Sequence, residues 1–156
     1  MPLSPEEFRE ALSHFARGVT VVTTRNAAGQ SVGLTASAFT SVSLQPPWVL
    51  VCVDRNSDSH DSLIHAGWFA INILARDQEA LSRRFATAER DKFAGIPYRA
   101  GIHGLPVFDD ALTVLECRLI HTYNGGDHTI CVGEVETARV QSGEPLLYYR
   151  HRYRSL

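Results

Sequence analysis

Two long runs of alternating apolar character, 112–123 and 129–140, flank the tetrapeptide Asn124-Gly125-Gly126-Asp127. Asn-Gly between such runs is the strongest short-range signal for a β-hairpin. Upstream, strand patterns at 19–25 and 30–36 flank the turn Asn26-Ala27-Ala28-Gly29. A third strand leads into Pro46-Pro47, which cannot donate to a ladder and so end it. Residues 48–53 form the near-continuous apolar run of a central strand, and 68–74 return as another.

Helices are few and short. Ser4-Pro5-Glu6-Glu7 is a capping box with proline at the first helical position. Phe8, Ala11, Leu12 and Phe15 follow at i, i+3, i+4 and i+7, and Gly18 supplies a stop. This predicts an amphipathic helix that packs its apolar stripe on something. Ser57 is placed to cap a helix through Ile64 that ends near Gly67, and Asp77 to cap another running to about Phe85. Residues 88–106, rich in glycine, proline and charge, read as a long functional or connecting loop. Pro145 opens a last segment, 146–149, before the basic tail 150–154. Many strands and three short helices predict a mainly β, α+β fold, a single β-barrel decorated by helices, with 1–156 as one domain.

Composition narrows the function. A chain of 156 residues with 21% charged residues and a net charge of -2 carries no electrostatic footprint for nucleic acid or an anionic membrane. No apolar run is long enough to span a bilayer. The N-terminus lacks the regions of a secretory signal, and Cys52, Cys117 and Cys131 are scattered, so a reducing cytoplasm with free thiols is expected.

Common catalytic signatures are absent: no Gly-x-Gly-x-x-Gly after a strand, no Walker A, no Gly-x-Ser-x-Gly and no His-Glu-x-x-His. Any dinucleotide chemistry must run without a Rossmann unit. His60 and His65 stand five residues apart amid Asp58 and Asp61, which misses helical i, i+4 ligand geometry, so no metal site is predicted. The segment Gly33-Leu34-Thr35-Ala36-Ser37-Ala38-Phe39-Thr40-Ser41-Val42-Ser43 is dense in small hydroxylated residues. It has little bulk for a core but can bring backbone N–H and C=O groups against a flat polar heterocycle. His128 follows the Gly-Gly-Asp turn, either on a barrel rim open to ligand or as a turn histidine held by Asp127. Arg55-Asn56-Ser57 enters a helix, as a phosphate cradle or as an ordinary N-cap beside a surface arginine. Arg84-Phe85 and Lys92-Phe93 each set a cation beside an aromatic, a pattern also made by a core phenylalanine next to a surface base.

Taken in order, Gly33-Leu34-Thr35-Ala36-Ser37-Ala38-Phe39, Ser41-Val42-Ser43 before Pro46-Pro47, Asp91-Lys92-Phe93, Gly125-Gly126-Asp127-His128 and Tyr149-x-x-x-Tyr153 resemble the short-chain flavin reductases. These are the reductase components of two-component flavin-dependent monooxygenases. The resemblance implies a split β-barrel of the FMN-binding type, a homodimer, and reduction of FMN or FAD by NADH or NADPH. Reduced flavin is then handed to a separate oxygenase. It further implies that Thr35, Ala36, Ser37 and Ala38 line the isoalloxazine ring, with Ser41 and Val42 nearby. Cys52, Val53 and Asp54 would continue that wall, and Ser57 would approach the phosphate. Arg84 and Phe85 would lie along the flavin tail. His128 and Tyr153 are the expected catalytic pair on the nicotinamide side, helped by Arg150. The cofactors carry the hydride chemistry, and backbone N–H groups aimed at the pyrimidine edge stabilise the charge that develops there. A flavin-binding carrier without reductase activity needs the same wall but neither His128 nor Tyr153. A barrel for single-stranded nucleic acid would need a positive groove with aromatic platforms.

Overall fold

The computed structural model describes residues 2–156. In chain order the elements are α1 (Pro5–Ser13), β1 (Arg17–Gly18), β2 (Thr20–Arg25), β3 (Ser31–Ala36), β4 (Phe39–Leu44), β5 (Pro47–Asp54), α2 (His60–Ala66), β6 (Trp68–Ile73) and α3 (Glu79–Phe85). There follow β7 (Arg99–Ala100), a 3-10 turn (Ile102–Gly104), β8 (Pro106–Val107), β9 (Thr113–Gly125), β10 (His128–Val140), β11 (Leu147–Tyr149) and β12 (Arg152–Arg154). The fold is mainly β with three helices, as the turn and alternation signals require.

Seven strands form one sheet in the order β3-β2-β6-β9-β10-β5-β4. Leu34 and Ala36 of β3 share a buried cluster with Val49, Val51 and Val53 of β5, Phe69 and Ile71 of β6, and Cys117 and Cys131. Strands from the two ends of the sheet therefore contribute to one core, although no ladder joins β3 to β4 and the barrel is not closed. A second cluster packs Phe85, Phe93, Phe108 and Leu105 against Val19, Val21 and Ala70. The β9–β10 pair makes the longest ladder, and its bends coincide with register shifts at Val132/Gly133 and Val135/Thr137. A Cβ on Gly133 would lie 2.5 Å from Phe69 Cζ, so only glycine lets β10 cross that ring.

Several boundaries differ from the sequence reading. α1 stops at Ser13 rather than at Gly18, and the chain enters β1 three residues after its cap His14. Its stripe is left largely exposed: Phe8, Leu12 and Phe15 are 55%, 42% and 69% exposed. α2 begins at His60 rather than after Ser57, with Gly67 in the left-handed conformation at its end. The basic tail is a strand, β12, paired with β11. The loop 88–106 is pinned at several points. Arg84 donates to the carbonyls of Asp91, Lys92 and Ala94. Buried Glu116 takes the Ile102 N–H at 2.6 Å and the Thr137 hydroxyl at 2.8 Å.

Burial raises two thiols. Cys117 is pushed up to about 12, by burial and then by the charge of Glu116. Cys131 goes to about 11, by burial and then by neighbouring Cys52, against an ordinary thiol value of 9.0. Unfolded thiols ionise first, so the stability these groups contribute is full below pH 9.0 and lost as pH climbs through 11 toward 12. Urea midpoints at pH 8 and pH 10.5 should therefore fall further in the parent than in a Cys117→Ala/Cys131→Ala protein. Contributions from groups common to both, such as Lys92, cancel in that comparison. Equal falls would mean the thiols ionise as freely folded as unfolded.

Candidate functional site

The residues between β3 and β4 are too small to fill a core and lie outside both ladders. The Ala38 carbonyl accepts the Cys52 N–H at 3.0 Å, which fixes the segment against β5. The N–H groups of Ser37 and Ala38 have no partner among the described residues. Both residues line a groove of about 590 Å³, together with Phe39, Leu50 and Cys52. An adjoining groove of about 530 Å³ shares Val19 and Ser37 and adds Thr35, Ser82, Tyr148 and Tyr153.

One buried residue of α3 ties the two sides of this second groove. The Thr35 hydroxyl donates to the Ser82 carbonyl at 2.6 Å, while Ser82 Oγ and the Tyr153 hydroxyl lie 2.7 Å apart. Tyr148 packs edge-on to Tyr153 with centroids 5.2 Å apart, and the Arg83 guanidinium sits 4.8 Å over the Tyr153 ring. Arg83 is itself held by Glu79. The β11–β12 hairpin is thus held by α3 as well as by its ladder with β1.

Of the residues expected from sequence, Thr35, Ser37, Ala38, Cys52 and Tyr153 line these two grooves. Burial pushes the Cys52 thiol up, so it serves as a contact surface and not as a thiolate. Ala36, Val53 and Phe85 are buried. Their side chains point into the core at 7%, 0% and 1% exposure, so only their backbone is available to a ligand. Strand alternation explains Ala36 and Val53, each one position out of phase with a groove-lining neighbour. Ser41 and Val42 are exposed on the edge strand β4, outside both grooves. Arg84 is committed to the 91–94 carbonyls. Arg150, in a left-handed turn at φ 50°, pairs with Glu10 at 3.0 Å.

His128, Asp54 and Ser57 gather elsewhere. His128 pairs across the ladder with Asp54, on the same sheet face as Cys52 but two residues further along. Its Nδ1 meets Asp127 Oδ1 at 2.7 Å, the contact expected of a turn histidine, and this hydrogen bond, with the imidazole charge, holds Asp127 below the usual carboxylate value. Nε2 is left without a partner among the described residues. The groove that Tyr153 lines does not include His128. At Arg55 and Ser57, the phosphate-site candidate from sequence, the polar groups have partners within the protein. Arg55 is spent on Asn124 Oδ1 at 2.7 Å and the His128 carbonyl at 3.3 Å, and Ser57 Oγ accepts from the Ser59 N–H. His60 uses both ring nitrogens, on Asp61 at 2.9 Å and Thr129 at 2.8 Å.

Sequence reasoning missed Ser82, Arg83, Tyr148, His151 and Arg17, which carry no motif. It also missed the role of Lys92. That ammonium is 8% exposed and donates to the carbonyls of Gly33 and Phe85, and burial lowers its pKa, partly offset by Asp58.

A planar heterocycle with acceptor atoms along one edge suits a slot that offers two free amides and no side-chain acid. The profile of the family described as "Flavin reductase like domain" matches residues 12–156. The chain is 43% identical over 152 residues to the reductase component of 4-nitrophenol 4-monooxygenase/4-nitrocatechol 2-monooxygenase of Rhodococcus opacus, covering 97% of this chain and 81% of that one. It is 45% identical to a probable flavin reductase of Rhizobium meliloti, covering 89% of this chain but spanning only 44% of that relative. In three dimensions it is similar to the NADH:FAD oxidoreductase SgcE6 of Streptomyces globisporus, solved in complex with NAD and FAD fragments. That match has a TM-score of 0.91 and 37% identity, covering 99% of this chain and 95% of that one.

Proposed function

Because the chain belongs to the flavin reductase like family, matched over residues 12–156, we propose that it is an NAD(P)H:flavin oxidoreductase. It uses NADH or NADPH to reduce FMN or FAD, and the reduced flavin passes to a separate flavin-dependent monooxygenase. The observation that carries this reading is the pair of unpartnered amides, Ser37 and Ala38, in a groove continuous with the one holding Tyr148 and Tyr153. When bound, the flavin supplies the hydride acceptor and the nicotinamide the hydride. The protein's part is then to hold one ring by its amides, stack the other within reach, and stabilise the arriving charge through N–H donors that need not reorganise. Thr35, fixed by Ser82, sets the wall; Tyr153, fixed by the same residue, sets the opposite side.

A second copy of the chain is part of this proposal. The uncovered stripe of Phe8, Leu12 and Phe15 supports a homodimer, and the curled sheet with free β3 and β4 edges supports a split barrel. Three free cysteines, two of them buried, fit a cytoplasmic setting.

The test is direct. Purified protein mixed with NADH and FMN, and separately with NADPH and FAD, should bleach the nicotinamide absorbance catalytically. Flavin binding without nicotinamide consumption would favour the carrier reading. His128→Ala should raise the KM for NADH about 5- to 10-fold, the size of one neutral hydrogen bond. Full retention of activity would remove His128 from the nicotinamide side and leave the enzyme class standing.

A further inference from the structure

Two side-chain nitrogens among the described residues are buried without a partner, Arg17 Nε and Arg139 Nε. Arg139 spends its other nitrogens on the carbonyls of Phe108 and Asp109. Arg17 makes no hydrogen bond and no ion pair among the described residues. A guanidinium stays charged at any ordinary pH, so a partly buried fork with no acceptor is a standing cost that an anion would relieve.

Its position says which anion. Arg17 lies opposite Tyr148 in the β1–β11 ladder, which puts the two side chains on one face. It lines the Ser37–Ala38 groove and also a smaller groove, about 390 Å³, that includes Tyr148, Arg150 and His151. Tyr148 and His151 in turn line the groove of Tyr153. Arg17 therefore lines two grooves and is joined to the third through Tyr148. Glu10, which pairs with Arg150 at 3.0 Å and His151 at 3.4 Å, makes no ion pair with Arg17.

We propose that Arg17 anchors the hydride donor by taking its diphosphate, so that the nicotinamide end reaches the ring slot. This rests on the flavin reductase reading above. Flavin nucleotides carry phosphate as well; what assigns Arg17 to the donor is its place opposite Tyr148, whose neighbour Tyr153 stands on the nicotinamide side of the slot. A planar fork matches two phosphate oxygens better than an ammonium does.

Steady-state kinetics with NADH varied at saturating FMN, and the reverse, provide the test. Arg17→Gln should raise the KM for NADH about 10- to 100-fold, as loss of a charge-assisted contact does, with kcat and the KM for FMN held within twofold. Arg17→Lys should recover only part of that loss. ADP-ribose, which lacks the nicotinamide, should compete with NADH in the parent and weaken in Arg17→Gln by the same factor. The side chain has no intramolecular partner, so thermal midpoints should be unchanged and a folding defect is separable. An unchanged NADH KM, an unchanged ADP-ribose inhibition constant, or a rise confined to the KM for FMN would each overturn the proposal. Absence of NADH oxidation by the parent itself would instead overturn the functional reading.

Discussion

Replacing Asn72 with alanine is expected to lower stability by about 3–5 kcal/mol, the largest loss foreseen for any single side chain here. Asn72 is fully buried near the end of β6. Its amide donates to the Val21 carbonyl at 3.0 Å and to Thr23 Oγ1 at 3.2 Å, and its carbonyl takes the Phe108 N–H at 3.0 Å. Thr23 in turn donates to the Pro106 carbonyl, so the pair holds the end of the long loop on the sheet. Alanine leaves a buried N–H without an acceptor and opens a cavity beside it. For a chain of this size the melting midpoint should drop by roughly 10 °C or more. Asn72→Asp keeps the acceptor but buries a charge and loses both donations, so it should do no better. A loss under about 1 kcal/mol in urea unfolding would show that water replaces the network at little cost.

Gly33→Val should cost about 2–4 kcal/mol and weaken flavin binding in the same protein. A Cβ at position 33 would lie 2.8 Å from the Val22 carbonyl oxygen, a backbone atom, and 3.2 Å from Phe85 Cε1. The Gly33 carbonyl also accepts from Ser59 Oγ at 3.0 Å and Lys92 Nζ at 3.2 Å. Moving β3 to relieve the clash would strand a buried ammonium and shift Thr35 and Ser37, two and four residues on. Calorimetry and flavin titration should therefore worsen together. A folded variant with parental flavin affinity would mean that the wall is positioned from β4 and not from β3.

Much of the architecture was legible because it rests on local chemistry. The capping box at Ser4 formed as read, with Glu7 N–H to Ser4 Oγ at 3.2 Å and Ser4 N–H to Glu7 at 2.9 Å. The hairpin turn tightened to Gly126 and Asp127, with Gly126 at φ 78° and Asn124 Oδ1 taking its N–H. The ends of α1 and α2 were misplaced because propensity does not say where tertiary contacts stop rewarding a helix. The Thr-Ala-Ser-Ala segment stood out by its lack of bulk, and Thr35, Ser37 and Ala38 line the grooves. Which side chains faced a groove was less visible, since one step along a strand sends Val53 inward and leaves Cys52 in the groove. Ser82 was unreadable for a different reason. A serine within a helix has no sequence mark for a bond to a tyrosine 71 residues away.

The grip that Ser82 exerts in two directions has a thermodynamic corollary. If occupying the amide-lined slot steadies Thr35, the tyrosine hairpin is steadied through the same serine, and the second ligand meets a surface already ordered. Reciprocity then requires each ring to tighten the other's binding by one common factor, whichever arrives first. An enzyme wired in this way would hold oxidised flavin loosely in isolation and firmly only while its reductant is present, and departure of the spent nucleotide would loosen the flavin in turn.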